Sequence, residues 1–96
     1  MRIYLSERGG RLQPLLDYLH DSAGVAGWTV YRGVSGYGKS GKVRAASLVD
    51  LALDLPVTIE FFDATDKVQD MLAALTELVG DGHIVHWPAT LATPQD

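Results

Sequence analysis

Two helical patterns, each placed between strand-like segments, limit most strongly what this chain can fold into. In the first, apolar residues recur at three- and four-residue spacing over residues 13–23, and glycines follow. In the second, the apolar positions of residues 68–79 fall on one helical face, with Asp63 or Thr65 as the expected N-cap and Gly80 as the stop. Each helix therefore needs a sheet against which to bury one face.

Four segments have the composition of strands. Residues 2–5 form the first, residues 28–31 are β-branched and aromatic, and residues 84–87 form the last. Residues 55–63 alternate apolar and polar side chains with a period of two, which is expected where one sheet face is buried. Residues 88–96 form a tail with little to bury.

The order of these elements is β-α-β-β-α-β, which predicts an α+β domain of the ferredoxin-like type. Such a domain has a four-stranded antiparallel sheet with both helices on one face. At 96 residues the chain is long enough for one such domain and too short for two. The other sheet face would be left uncovered, and association of subunits is the natural way to bury it.

The composition favours an intracellular globular protein. A hydrophobic share of 47% and a charged share of 21% exclude a disordered chain. Because the chain has no cysteine and its first residues show no signal-peptide pattern, the cytoplasm is the expected location. The apolar runs are too short for membrane insertion, and a net charge of −4 argues against nucleic acid as a partner.

The segment between the second and third predicted strands is the strongest candidate for function. From Gly33 to Ser40 it matches the phosphate-binding pattern G-x-x-x-x-G-K-[ST]. Hydrolysis of a nucleoside triphosphate is disfavoured, because Gly41 stands where the helix of a P-loop must begin and no apolar strand ends in an aspartate suited to hold Mg²⁺. Two interpretations remain: phosphate binding without turnover, and a solvated loop whose basic residues serve solubility.

The charges near this segment favour a local anion site. Glycines let backbone N–H groups approach an anion closely, and basic side chains compensate its charge. Four basic residues lie within residues 22–49, which contain no acidic residue: Arg32, Lys39, Lys42 and Arg44.

Several segments together resemble a known family. They are residues 2–5, the glycine-rich residues 32–42, the runs 48–51 and 54–57, and the helix that follows Asp63. In this order they look like the domain-of-unknown-function 190 family of small PII-like proteins, over nearly the whole chain. More distantly, the chain resembles the PII signalling proteins.

The resemblance to PII proteins implies a trimer of ferredoxin-like subunits that binds an adenine nucleotide in the clefts between neighbours. It implies that the segment 33–54 moves and signals to a protein partner, such as a membrane transporter or an enzyme. The chain is then a regulatory binding protein rather than an enzyme, with an adenine nucleotide as candidate effector and no other cofactor. An effector-independent docking or assembly module is the alternative.

A glycine-rich turn before the last strand extends the resemblance. PII proteins carry Gly-Asp-Gly-Lys-Ile there, and this chain has Gly-Asp-Gly-His-Ile at 80–84, with His83 in place of a phosphate-contacting lysine. No Arg or Lys follows Lys67, whereas PII proteins have arginines near the C-terminus. Nucleotide binding is thus lost, weakened, or replaced by binding of another anion. The predicted binding residues are Arg32, Gly33, Gly36, Tyr37, Gly38, Lys39, Ser40, Lys42, Arg44, Gly80, Gly82 and His83.

Other candidate residues favour structural roles. His20, His83 and His86 lack the spacing of a chelating pair, so no metal site is predicted. Trp28 and Trp87 are expected in the core or at a subunit interface. Loop hydroxyls and scattered carboxylates show no triad or paired-acid pattern, so no catalytic residue is predicted.

Overall fold

A four-stranded antiparallel sheet organises the computed structural model, which describes residues 1–37, 43–45 and 54–93. In chain order the elements are β1 (Arg2–Ser6), α1 (Leu12–Asp17), a π-helical turn (Tyr18–Ser22), β2 (Thr29–Arg32), β3 (Ser35–Tyr37), β4 (Val43–Ala45), β5 (Pro56–Glu60), α2 (Thr65–Val79) and β6 (Ile84–Val85). The strand order β2-β5-β1-β6 is that of a ferredoxin-like fold and confirms the predicted fold class.

A single apolar row fixes the register of the sheet. Val30 pairs with Ile59, Ile59 with Ile3, and Ile3 with Ile84, so that one residue from each strand lies in the row. Ile3 and Ile59 are fully buried. Since side chains alternate between the two sheet faces, a slip by one residue would move the apolar side chains of a strand to the other face.

Both helices pack on the face that carries this row. Leu15 of α1 and Leu19 of the π-helical turn are completely buried, as the spacing of residues 13–23 predicts. In α2, Met71, Leu75 and Val79 recur every four residues and are buried against the sheet. The opposite face has no helix over it within the described parts of the chain.

The start of α2 differs from the prediction. Its N-cap is Ala64, without a side-chain capping hydrogen bond, so the choice of Asp63 or Thr65 was wrong. Asp63 instead accepts a hydrogen bond from the Ala64 N–H at 2.8 Å and pairs with Lys67 at 3.0 Å. The hydrogen bond from the Ala64 N–H is the main cause that lowers the pKa of this carboxyl, and Lys67 lowers the pKa further.

The segment between β2 and β5 contains secondary structure that the sequence patterns did not indicate. β3 and β4 form a separate antiparallel pair, with Ser35 opposite Ala45 and Tyr37 opposite Val43. The final strand ends at Val85, two residues earlier than predicted, and residues 88–93 are exposed. Among the helices of the described ranges, none is long and apolar enough to cross a membrane.

Asp63→Asn should lower stability at neutral pH by about 0.5 kcal/mol, because it removes the charge that Lys67 contacts one helical turn away. A carboxyl whose pKa is lowered by folding stabilises the protein above its unfolded pKa, about 3.9, and this contribution disappears as the pH falls through the folded pKa. Thermal melts at neutral and strongly acidic pH measure this. Asp70→Asn on the same helix is the control. An equal deficit for Asp63→Asn at both pH values would contradict the prediction.

Candidate functional site

Arg32 and His83, from the two groups of predicted binding residues, lie near the same end of the sheet but at opposite edges. At this end β1 and β2 finish, and β5 and β6 begin, since Ser6 pairs with Pro56 and Arg32 with Val57. The glycine-rich segment leaves from β2 at one edge, and the turn 80–83 enters β6 at the other. With neighbouring strands about 4.8 Å apart, the edges are separated by roughly 14 Å across the four strands.

At the β2 edge, two predicted binding residues pack closely on a proline. The Gly33 N–H donates to the Pro56 carbonyl oxygen at 2.8 Å. A Cβ atom would lie 2.8 Å from Pro56 Cγ if placed at Gly33, and 2.9 Å from it if placed at Gly36. The absence of a side chain at both positions is therefore required by packing, whatever further role these glycines have in binding.

Arg32 is already paired with an acid. Its Nη2 lies 2.8 Å from Glu7 Oε1 and 2.9 Å from Oε2, and its Nε lies 3.3 Å from Oε2. Glu7 is itself held in place, because its N–H donates to the Leu55 carbonyl oxygen at 2.8 Å. An anion that approaches the Nε–Nη2 edge of Arg32 must therefore compete with Glu7.

The next residue of the β1–α1 loop contacts the other end of the segment 33–54. The Arg8 N–H donates to Asp54 Oδ1 at 3.0 Å. Glu7 and Arg8 thus connect one short loop to both ends of this segment: to Arg32 just before it, and to Asp54 at its end. Sequence reasoning missed this arrangement, because neither residue belongs to a recognisable motif.

The other predicted residues of the segment are placed only in part. The backbone of Tyr37 lies in β3, and the backbone of Arg44 lies in β4 opposite Gly36. Four predicted binding residues lie outside the described residues: Gly38, Lys39, Ser40 and Lys42.

At the β6 edge, the turn has the backbone conformation that only glycine adopts readily. Gly80 and Gly82 have φ of 84° and 81°. His83 is bound to β1 twice: its carbonyl oxygen accepts from the Tyr4 N–H at 2.9 Å, and its Nδ1 lies 2.8 Å from the Tyr4 carbonyl oxygen. A carbonyl only accepts, so Nδ1 carries the proton and Nε2 is free of this contact.

Arg11 is a further basic residue at this turn. Its Nη1 donates to the Val79 carbonyl oxygen at the end of α2. A Cβ atom at Gly80 would lie 3.2 Å from Arg11 Nη1 and 3.8 Å from His83 Cδ2. The guanidinium and the imidazole therefore both lie next to Gly80. The sequence patterns missed Arg11, because its neighbours at the turn are about 70 positions away along the chain.

Two small concavities flank the turn. Each is smaller than the roughly 300–1,000 Å³ of pockets that enclose whole drug-sized ligands. One has a volume of about 230 Å³ and is lined by Leu72, Thr76, Gly80, Asp81, Gly82, Ile84 and His86. The other has a volume of about 200 Å³ and is lined by Leu5, Ser6, Gly9, Arg11 and His83.

The sheet face opposite the helices exposes large side chains. Tyr4, Tyr31, Val85 and Trp87 are between 44% and 52% exposed. Arg2 lies among them, 2.7 Å from Glu60 and 5.7 Å from the centre of the Trp87 ring, and its hydrogen bond to Glu60 raises its pKa. Trp87 and Trp28 are exposed, so neither lies in the core, and their predicted alternative, a position at a subunit interface, stays a prediction.

The sheet and the two helices define a small α+β domain of the ferredoxin-like type. The chain belongs to the DUF190 family, described as Uncharacterized ACR, COG1993, whose model matches residues 1–91. A UPF0166 protein of Aquifex aeolicus is 36% identical over 76 residues, which cover 75% of this chain and 72% of that protein. A UPF0166 protein of Methanocaldococcus jannaschii is 32% identical over 90 residues, covering 88% and 82%. No solved structure matches the chain.

Gly33→Ala should destabilise the protein by about 1–3 kcal/mol, since its methyl group would overlap Pro56 on the central strand β5. Gly27→Ala is the matched control, because no atom lies within 4 Å of a Cβ at Gly27 and its φ is not positive. Urea unfolding followed by circular dichroism measures both. Equal urea midpoints for Gly33→Ala and the unaltered chain would contradict the prediction, because Pro56 would then move aside without loss of stability.

Proposed function

We propose that the protein is a regulatory binding protein. Subunits associate, as a trimer by the likeness to PII proteins, and hold a nucleotide or another anionic effector in the cleft between neighbours. The segment 33–54 then changes its contacts and signals to a protein partner. The observation that carries this proposal is the placement of Arg32 and His83 at the same end of the sheet but at opposite edges.

This placement favours a site between subunits. Within one subunit, Arg32 and His83 are kept apart by the two central strands. When subunits associate in a ring, the β2 edge of one can meet the β6 edge of the next, since a head-to-tail contact joins two different surfaces. The residues of both edges would then face one cleft.

The uncovered sheet face supplies a surface for association. Two tyrosines flank Thr58 in adjacent strands, Tyr31 of β2 on one side and Tyr4 of β1 on the other. Aromatic side chains contribute large contact areas at little conformational cost, and they are enriched at the centres of interfaces. Burial of this face would leave the edges, and hence the cleft, at the periphery of the assembly.

The contacts of the β1–α1 loop suggest how an effector would be sensed. Glu7 occupies the guanidinium of Arg32, while Arg8 contacts Asp54 at the other end of the segment. An anion that draws Arg32 away from Glu7 would release one of these two contacts. The effector would thereby shift the population of arrangements of the segment, which is the form of signal that we propose.

An effector-independent docking module is the second candidate. It is favoured by the pairing of Arg32 with Glu7, which leaves that cation without need of an external anion, and by the absence of Arg and Lys after Lys67. In this case the segment 33–54 would bind its partner equally with and without nucleotide. A pull-down of partner proteins in both conditions separates the two candidates.

Isothermal calorimetry with ATP, ADP, AMP and cyclic AMP tests the effector directly. We expect micromolar binding of one of these, and a loss of about tenfold or more in affinity for Lys39→Ala and Arg44→Ala, since each removes a charge-assisted contact. Arg8→Ala is the control, because Arg8 contacts Asp54 through its backbone. Absence of heat with every nucleotide would favour the docking module.

Tyr4→Glu should convert the assembly to monomers, because it places a charge at the centre of the uncovered face. Tyr4 is already exposed in the single subunit, so the fold should be retained. Light scattering coupled to size exclusion measures the mass, and circular dichroism checks the fold. Gln69→Glu, exposed on α2, is the control. An unaltered chain that elutes as a monomer at micromolar concentration would refute the proposed assembly.

A further inference from the structure

We infer that Arg11 and His83 form an oxyanion site in the smaller concavity, within a single subunit and suited to one phosphate group. The site deepens the proposed function and rests on it for the identity of the biological ligand. None of its residues except His83 was predicted to bind a ligand. Its lining combines the loop after β1 with the turn before β6: Leu5, Ser6, Gly9, Arg11 and His83.

Charge distinguishes this concavity from the one on the other side of the turn. Asp81 lines the larger concavity, whereas the lining of the smaller one contains Arg11 and no acid. A phosphate group would therefore meet a cation without a competing carboxylate in the lining. The volume of about 200 Å³ suits one such group rather than an enclosed nucleotide, for which pockets are roughly 300 Å³ or larger.

The guanidinium of Arg11 is held in a position that leaves donors for a ligand. One nitrogen, Nη1, donates to the Val79 carbonyl oxygen, which orients the planar group. A guanidinium has five N–H donors in a fixed fork, so others remain for phosphate oxygens. The glycine at position 80 permits this placement, since even a Cβ there would lie 3.2 Å from Nη1.

His83 supplies the second polar group. Its Nδ1 proton is directed to the Tyr4 carbonyl oxygen, so Nε2 remains for the ligand. When the imidazole is neutral, Nε2 accepts a hydrogen bond from a protonated phosphate oxygen, and when it is charged, Nε2 donates one. Cδ2, which is bonded to Nε2, borders the Gly80 position that Arg11 Nη1 also approaches.

Ser6 and Gly9 complete the site. A Cβ atom at Gly9 would lie 2.9 Å from the Ser6 hydroxyl oxygen, so Gly9 leaves the side of the concavity next to this hydroxyl open. The hydroxyl can donate to an oxyanion. The simpler role of Arg11, contact with the last carbonyl groups of α2, accounts for its bond to Val79 but not for the convergence of Ser6 and His83 on the same concavity.

Titration of the full chain with inorganic phosphate, followed by the imidazole resonances of His83 in NMR spectra, tests the site. We expect a saturable shift of His83, with His20 as an internal reference. Arg11→Gln should weaken phosphate binding by about tenfold or more. Arg8→Gln removes the same charge from the same loop, outside the lining, and should leave the affinity within about twofold.

Gly9→Ala is a second variant. It leaves the hydrogen bond between Arg11 and Val79 intact, so any loss of phosphate binding cannot result from destabilisation of the end of α2. Its methyl group displaces the Ser6 hydroxyl, and we expect phosphate binding to weaken severalfold with an unchanged melting temperature. No saturable shift of His83 in the unaltered chain would overturn the inference. Equal weakening by Arg8→Gln and Arg11→Gln would also overturn it, as a response to net charge alone.

A parallel titration with ATP separates this inference from the proposed function and distinguishes a nucleotide phosphate from free phosphate. If Arg11→Gln leaves ATP binding intact while Lys39→Ala abolishes it, and phosphate leaves His83 unshifted, the regulatory function stands and the Arg11 site fails. If inorganic phosphate binds in an Arg11-dependent manner and no nucleotide binds, the site stands and the nucleotide sensor fails.

Discussion

The pairing of β1 with β5 is the contact on which the rest of the molecule depends. These strands are distant in sequence and adjacent in space, and their register brings Ile3 opposite Ile59, the two fully buried residues of the apolar row. Both helices bury their apolar faces against this row, and both edge strands take their register from it. The same register brings the end of β1 beside the start of β5, and so places Glu7 and Arg8 at the segment 33–54.

The sequence predicts those parts of the fold that follow from periodicity. The three- and four-residue spacing located both helices, and the alternation through Val57, Ile59 and Phe61 located the third predicted strand, because burial on one face imposes these periods. The residue that caps a helix is harder to predict, because neighbouring polar side chains can form other local hydrogen bonds instead. Asp63 has the residue type of an N-cap, yet it precedes the cap and contacts Ala64 and Lys67 instead.

The candidate site was predictable to a smaller extent, because its contacts join distant segments. Motif spacing indicated the turn at Gly80 and the glycines near Arg32, because the residues of each motif lie close together in the sequence. Arg11 and Glu7 carry no motif, and their roles depend on Val79 and Arg32. A basic residue after a glycine pair and an acid at the end of a strand are common in surface loops, so only the tertiary structure distinguishes them.

The two contacts of the β1–α1 loop have an evolutionary consequence. Glu7 and Arg8 hold Arg32 and Asp54 near each other, so the chain enters and leaves the intervening segment at a fixed base. The entropy of closing a chain segment between two fixed points grows slowly with its length, by only about 0.6 kcal/mol for each doubling. Relatives can therefore acquire insertions or exchange whole sequences between these points without disturbing the sheet. The segment is thereby free to change in length and sequence while the sheet, its two helices and their buried row stay the same.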